Sequence, residues 1–143
     1  MIERLVIDNS AWSSLRSQGL PRARAEEVAD AVAQKQLIVT LPFLLEAGFS
    51  ARSGADHVER LDELQRLASI QVNADIERRT IEAQRELAFR GRHRMPPTDI
   101  LIAACAERGG GLGVLHYDHH YDLILEHTSL RFQSVWLAPR GSL

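Results

Sequence analysis

The sequence predicts an α/β fold: a single domain with a central five-stranded, mainly parallel sheet flanked by helices. Three observations lead there. Short β-rich apolar runs alternate with longer runs of helical periodicity, a pattern that calls for crossover connections and so for parallel pairing. The 143 residues suit one core, and two would be cramped. The composition, 45% hydrophobic and 25% charged, is that of an ordinary globular chain and speaks against disorder, collagen or coiled-coil arrays. The domain is expected to occupy 1–143, with its core over about 4–137.

Each element has its own signature. Arg4–Ile7 (RLVI) is the first strand and stops at Asp8. Leu20–Gln36 is an alanine-rich charged helix with Ala25, Ala29 and Val32 at helical spacing. Leu37–Leu41 (LIVTL) is the second strand. Pro42 is placed to open a helix running through Phe43, Glu46 and Phe49. Gly54 is expected to break that helix, and Asp56 to cap one carrying Val58, Leu61, Leu64 and Ala68. Ser69–Val72 is the third strand. Asp75 is expected to cap a long helix with Ile76, Thr80, Ala83 and Leu87 on one side, ending near Gly91. Pro96 and Pro97 then punctuate the chain. Thr98 is the expected N-cap of an almost wholly apolar helix, Asp99–Arg108, which Gly109–Gly111 stops. Gly113–Tyr117 is the fourth strand and closes at Asp118. A short helix passes through Leu123–Leu125, and Phe132–Leu137 (FQSVWL) is the fifth strand.

Composition excludes several function classes. The net charge is -2 and the pI near 6.3, so a polyanion would have to be met by a local patch. Lys35 is the sole lysine among 17 basic residues. Arginine suits bidentate phosphate contact, but GC-rich codon usage is the plainer reading of that bias. Cys105 stands alone and has no internal disulfide partner, which fits a reducing cytoplasm. The longest apolar stretches, Ile38–Leu45 and Ile100–Ala106, fall far below the roughly 18 residues of a membrane span. The opening MIERLVIDNS lacks the apolar region of a secretory signal.

In open parallel sheets, ligands bind beyond the carboxyl ends of the strands. Asp8 follows the first strand and Asp118 the fourth, with Asp122 one turn further on. Glu46 lies one turn into the helix after the second strand, and Asp99 in the first turn of the apolar helix. An acid after a strand is often only a helix cap. Glu46 in LPFLLEAGFS and Asp99 before ILIAACA are harder to explain so, because their neighbours are apolar and no basic residue lies within either segment. A buried, unpartnered carboxylate costs several kcal/mol or takes up a proton. Oxygen-only ligation of Mg²⁺ or Mn²⁺ relieves that cost, and such an ion can activate water against a phosphodiester.

The four segments VIDNSAW, LPFLLEAGF, PPTDILIAACA and LHYDHHYD, in this order, resemble the PIN-domain ribonucleases, and among them the VapC-type toxins of bacterial toxin–antitoxin pairs. The resemblance runs from about Leu5 to Trp136. It implies a single PIN domain with a five-stranded parallel sheet, and a Mg²⁺- or Mn²⁺-dependent endoribonuclease leaving a 5′-phosphate and a 3′-hydroxyl. It also implies a small VapB-type antitoxin partner, an RNA substrate and a homodimer. Carried over residue by residue, it makes Asp8, Glu46, Asp99 and Asp118 the catalytic, metal-binding acids, with Ser10 supporting the first. The chain departs from the family in its last segment. His120 stands where the family has a second Asp, and Tyr121 where it has Phe, while Asp122 matches the acid that often follows. His120 is thus expected to reshape a second metal site, or itself to meet metal or phosphate.

Arg90, Arg92 and Arg94 belong to the one concentrated basic run, just before Pro96 and the Asp99 helix, and are the expected RNA-phosphate contacts. Their plainer role is a solvated helix end. Structural zinc on His116, His119 and His120 is disfavoured, because His116 lies in a strand and no cysteine cluster completes the set. Trp12, Phe43, Phe49 and Trp136 are expected in the core or at a subunit face, and Cys105 in inert packing. Among rival functions, aspartyl phosphotransfer lacks the second acid at Ser10 and a late lysine. A catalytically weak PIN-fold RNA-binding module, or an RNA-maturation nuclease without an antitoxin, are the alternatives.

Overall fold

The computed structural model describes residues 3–143; Met1 and Ile2, the start of the expected domain, lie outside the described residues. The elements in order are β1 (Leu5–Ile7), α1 (Asn9–Ser14), α2 (Arg22–Ala33), β2 (Leu37–Thr40), α3 (Leu41–Phe49), α4 (Gly54–Leu64), β3 (Ala68–Ile70), α5 (Ala74–Phe89), α6 (Pro97–Arg108), β4 (Gly113–His116), α7 (His120–His127) and β5 (Gln133–Trp136). The five strands form one sheet in the order β3-β2-β1-β4-β5, and every neighbouring pair is parallel. The chain winds one way through β1, β2 and β3, then crosses to the other side of β1 for β4 and β5. The switch point therefore lies between the carboxyl ends of β1 and β4, where Asp8 and Asp118 stand.

Strand side chains alternate between two apolar layers, as the pleat requires. Val6, Ile38 and Val114 point to one side and pack with Ile76, Leu87, Ile102 and Ile124. Leu5, Ile7, Leu37, Val39 and Leu115 point to the other and meet Ala11, Val28, Ala31 and Phe43. Being covered on both faces, the central strands read as continuous apolar runs. Gly113 opens β4 where β1 and β5 close in: a Cβ there would stand 2.6 Å from Leu5 Cδ2 and 2.8 Å from Val135 Cγ2.

Several expectations are corrected. The buried face of α2 is Val28 and Ala31, and Ala29 is exposed. Gly54 opens α4 rather than ending α3, which already stops at Phe49. Ser53, not Asp56, caps α4, accepting from the Asp56 N–H. Asn73, not Asp75, caps α5, accepting from the Ile76 N–H at 2.9 Å. In both helices the acid sits in the first turn, where it suits the positive dipole end, and the cap lies before it. Pro96 precedes α6 with no side-chain cap, so Thr98 is inside the helix. Val58 is exposed, Ala68 belongs to β3, and β3 ends at Ile70 rather than Val72. The residues after β1 form α1, which the sequence pattern did not indicate.

Helices α2 and α5 end in the same hydrogen-bonded turn. After α2, Lys35 N–H donates to Val32 and Gln36 N–H to Ala31; after α5, Gly91 N–H donates to Ala88 and Arg92 N–H to Leu87. This turn places one residue in the left-handed region, and glycine enters it without a Cβ clash. Gly91 has φ 72, but the equivalent Lys35 has φ 56. Lys35→Gly is therefore expected to raise unfolding stability by about 0.5–1 kcal/mol, net of the extra freedom glycine gives the unfolded chain. Denaturant or thermal unfolding checks this, and no gain would mean that the turn costs Lys35 nothing.

Candidate active site at the carboxyl edge of the sheet

Asp8 ends β1 and caps α1. The Ser10 N–H donates to its Oδ2 at 3.0 Å, and the Ser10 hydroxyl donates to the same oxygen. That hydroxyl also accepts the Tyr117 N–H at 2.9 Å, which ties the end of β1 to the end of β4. The other oxygen, Oδ1, accepts the Tyr121 hydroxyl at 2.7 Å. Asp8 is thus almost fully buried yet held by three donors. Ser10 takes the supporting place expected of it.

Asp99 enters from the first turn of α6, buried among the apolar residues of that helix. Its Oδ1 lies 3.5 Å from the Tyr121 hydroxyl and its Oδ2 2.9 Å from His120 Nδ1. Burial pushes the carboxyl up to about 6, with the Asp8 charge adding to the push and the His120 hydrogen bond opposing it. Tyr121 lies between the two acids, and its phenol is pushed well above the usual range by burial and by the charges of Asp8 and Asp99. It therefore acts as a hydrogen-bond donor throughout the physiological range.

Asp118 follows β4 and is half-buried. Its Oδ1 accepts the His120 N–H at 3.0 Å and lies 3.2 Å from His120 Nδ1 and 3.4 Å from His119 Nδ1. Its own N–H donates to His116 Nδ1 at 3.1 Å. That bond fixes the His116 proton on Nε2, which donates to Ser134 Oγ at 2.7 Å. The Ser134 hydroxyl donates in turn to Asp122 Oδ1, and Trp136 Nε1 donates to Asp122 Oδ2 at 2.9 Å. Asp122 thus faces β5 and supports the site from behind, through Ser134 and His116, instead of pointing at the other acids. Burial pushes His116 down to about 4, against the pull of Asp122, Asp8 and Asp118.

Glu46 lies on α3 near the same edge, where its charge adds to the upward push on Tyr121. It is half-buried, not buried as its apolar neighbours suggested, because Leu45 and Phe49 point outward and are 64% and 93% exposed. Phe49 is thus no core residue, whereas Phe43 is fully buried.

Asp8, Asp99 and Asp118 share one edge and sense one another's charge. Among the described residues, however, the one set of three or more ligand atoms lying within 4.8 Å of each other is Asp118, His119 and His120. The basic partners of Asp8, Glu46, Asp99 and Asp118 among the described residues are His119 and His120 alone; no lysine or arginine pairs with them. Buried and half-buried carboxylates, neighbours in charge and without a guanidinium, are a donor set that fits a hard divalent ion. Arg92 and Arg94 are exposed and line a cavity of about 290 Å³ together with His119 and His120. Arg90 is exposed at the end of α5 and does not line it. Sequence reasoning missed the donor role of Tyr121 and the His116–Ser134 link. The clue for Tyr121 was a phenol in an apolar helix, since a buried hydroxyl needs a partner.

A PIN-domain family profile matches residues 5–124. Ribonuclease VapC18 of Mycobacterium tuberculosis is 36% identical over 141 residues, covering 96% of this chain and 97% of its own. Ribonuclease VapC51 of the same organism is 34% identical over 143 residues, covering 100% and 99%. The crystal structure of DNA-bound VapBC from Salmonella typhimurium superposes with a TM-score of 0.67 at 17% identity, over 96% of this chain and 100% of that one, a likeness of fold. The chain belongs to the PIN-domain family, among its VapC ribonucleases.

Two of the shifted groups, Asp99 and His116, give opposite pH slopes in metal-free protein. Asp99 titrates from an ordinary 3.8 up to about 6 on folding. The folded state therefore holds the extra proton between these values, and stability from this group falls as pH rises through that window. His116 titrates from 6.5 down to about 4, so its contribution is lost as pH falls through nearly the same window. Asp99→Asn removes the first slope and leaves the second. The variant is expected to be more stable than the parent at pH 7 by about 1–3 kcal/mol. It is also expected to lose stability more steeply on acidification toward pH 4. Urea unfolding in chelator across that range decides it, and a variant less stable than the parent at pH 7 would refute the buried-charge account.

Proposed function

We propose that this protein is a divalent-metal-dependent endoribonuclease and the toxin of a toxin–antitoxin pair. The observation that carries the reading is the meeting of Asp8, Asp99 and Asp118 at the β1/β4 switch point with no arginine or lysine to neutralise them. Kinship with the VapC ribonucleases supports the reaction class. The neighbouring VapBC structures support a small VapB-type antitoxin as partner.

Asp8, Asp99, Asp118 and Glu46 would hold Mg²⁺ or Mn²⁺; bound there, such an ion supplies activation of water and neutralisation of phosphoryl charge. The protein's own part is positional. Ser10 and Tyr121 fix both oxygens of Asp8, and His120 fixes Asp99 against Asp118. His116, anchored through Ser134 to Asp122, sets the backbone at Asp118. Arg92 and Arg94 at the cavity rim would take the RNA phosphates on either side of the scissile bond, with Arg90 nearby. The outward stripe of α3, Leu41, Leu45 and Phe49, is apolar and exposed, which suits a homodimer or antitoxin contact.

Cleavage of RNA in Mn²⁺ is expected to stop in EDTA and to fall roughly a hundredfold or more in Asp8→Asn. Activity that persists in Asp8→Asn would overturn the assignment. Absence of parental cleavage over a broad set of RNAs would favour the binding-module reading. Arg92→Ala and Arg94→Ala are each expected to raise KM and to lower the slope of log affinity on log salt by about 0.7. An unchanged slope would leave these arginines as a solvated helix end.

A further inference from the structure

The replacement of an expected acid by His120 places two imidazoles on one carboxylate oxygen. Asp118 Oδ1 lies 3.4 Å from His119 Nδ1 and 3.2 Å from His120 Nδ1. With metal–ligand bonds of 2.0–2.1 Å, the edge of a tetrahedral zinc site measures about 3.3 Å. The two distances measured here agree with that edge. One ligand atom from each of the three residues lies within 4.8 Å of those of the other two. Both histidines line the cavity of about 290 Å³ beside Arg92 and Arg94, and the side chains of Asp118, His119 and His120 are all partly exposed, so a fourth position could be filled by water. His116 takes no part, since both its nitrogens are committed to Asp118 N–H and Ser134.

We propose that Asp118, His119 and His120 form a second divalent-metal site that selects imidazole-preferring ions of the Zn²⁺ type over Mg²⁺. Mg²⁺ demands oxygen ligands in a near-octahedral shell, whereas a donor set of two imidazoles and one carboxylate ranks ions by the Irving–Williams order. Metal at His120 Nδ1 would require the proton donated there to Asp99 to move to Nε2, or to solvent from an imidazolium, so the site competes directly with the His120–Asp99 hydrogen bond. The inference concerns ion binding alone and does not rest on RNA cleavage.

The test uses the full chain without a histidine tag, stripped of metal and titrated calorimetrically with Zn²⁺ in millimolar Mg²⁺. Co²⁺, titrated separately, serves as an optical probe of tetrahedral geometry. One Zn²⁺ per chain is expected, bound despite the Mg²⁺, with tetrahedral Co²⁺ bands. His119→Ala and His120→Ala should each weaken Zn²⁺ about tenfold or more. His120→Asp should erode the preference for Zn²⁺ over Mg²⁺. His57→Ala, on another helix, should leave the affinity unchanged. His119 and His120 are partly exposed, and circular dichroism checks that their variants fold. The proposal is overturned by zinc affinity indifferent to His119 and His120, by affinity that depends on His57, or by displacement of Zn²⁺ at equal Mg²⁺.

Discussion

Two buried carboxylates and a half-buried third repel one another at one sheet edge, and the local structure is organised around containing that repulsion. The sheet topology creates the problem. Chain reversal at β1 brings the ends of β1 and β4 side by side and delivers Asp8 and Asp118 to the same place. Helix α6 then packs on β1 and β4 and adds Asp99 from its first turn. Elsewhere in the molecule acids meet arginines. Glu107, for example, is bracketed by Arg79 at 2.7 Å, whose hydrogen bond lowers its pKa. At the sheet edge the relief comes from neutral or titratable donors: the Ser10 hydroxyl, the Tyr121 phenol and the His120 imidazole. Such donors lower the repulsion without cancelling the charge. The acids stay poised for a cation instead of being spent on a fixed guanidinium.

Those donors are themselves held by a second layer of the fold. Tyr117 N–H fixes Ser10, and Tyr121 is locked by its position in the packed face of α7. Asp118 is set by an unbroken relay that runs His116 to Ser134 to Asp122 and is closed by Trp136. The relay also assigns the otherwise ambiguous His116 proton, because the backbone amide of Asp118 can only donate. A ring that had to remain neutral to accept that amide would break the relay on protonation. Burial, which depresses its pKa to about 4 against the pull of the neighbouring acids, therefore also keeps the relay intact.

The parts of this design legible in the sequence are those that depend on local pattern. Central strands covered on both faces appear as unbroken apolar runs, so β1, β2 and β4 fell where expected, and acids directly after them marked the edge. Cap positions were less legible. Asp56 and Asp75 look like caps because first-turn acids and caps draw on the same residue types, yet Ser53 and Asn73, three and two residues earlier, take that role. Helix α1 (NSAWSS) has no amphipathic period and is held mainly by the Asp8 cap and by packing of Ala11. Glu46 was misjudged because apolar neighbours on a helix can face solvent as easily as core. The roles of Tyr121, His116 and Asp122 depend on partners 12 to 113 residues away, which no local pattern reports.

The two departures from the family pattern, His120 and Tyr121, act together. An acid at 120 would have added a further negative charge beside Asp99 and Asp118, and a phenylalanine at 121 would have left Asp8 Oδ1 and Asp99 Oδ1 without their shared donor. Imidazole and phenol instead supply protons at these two positions. The edge is thereby held by hydrogen bonds in the absence of an ion. In the site we propose, an ion would compete for His120 Nδ1 with its hydrogen bond to Asp99, and the same ring would offer that ion a nitrogen lone pair. One residue would thus set both the balance between self-satisfaction and metal affinity and the choice of metal.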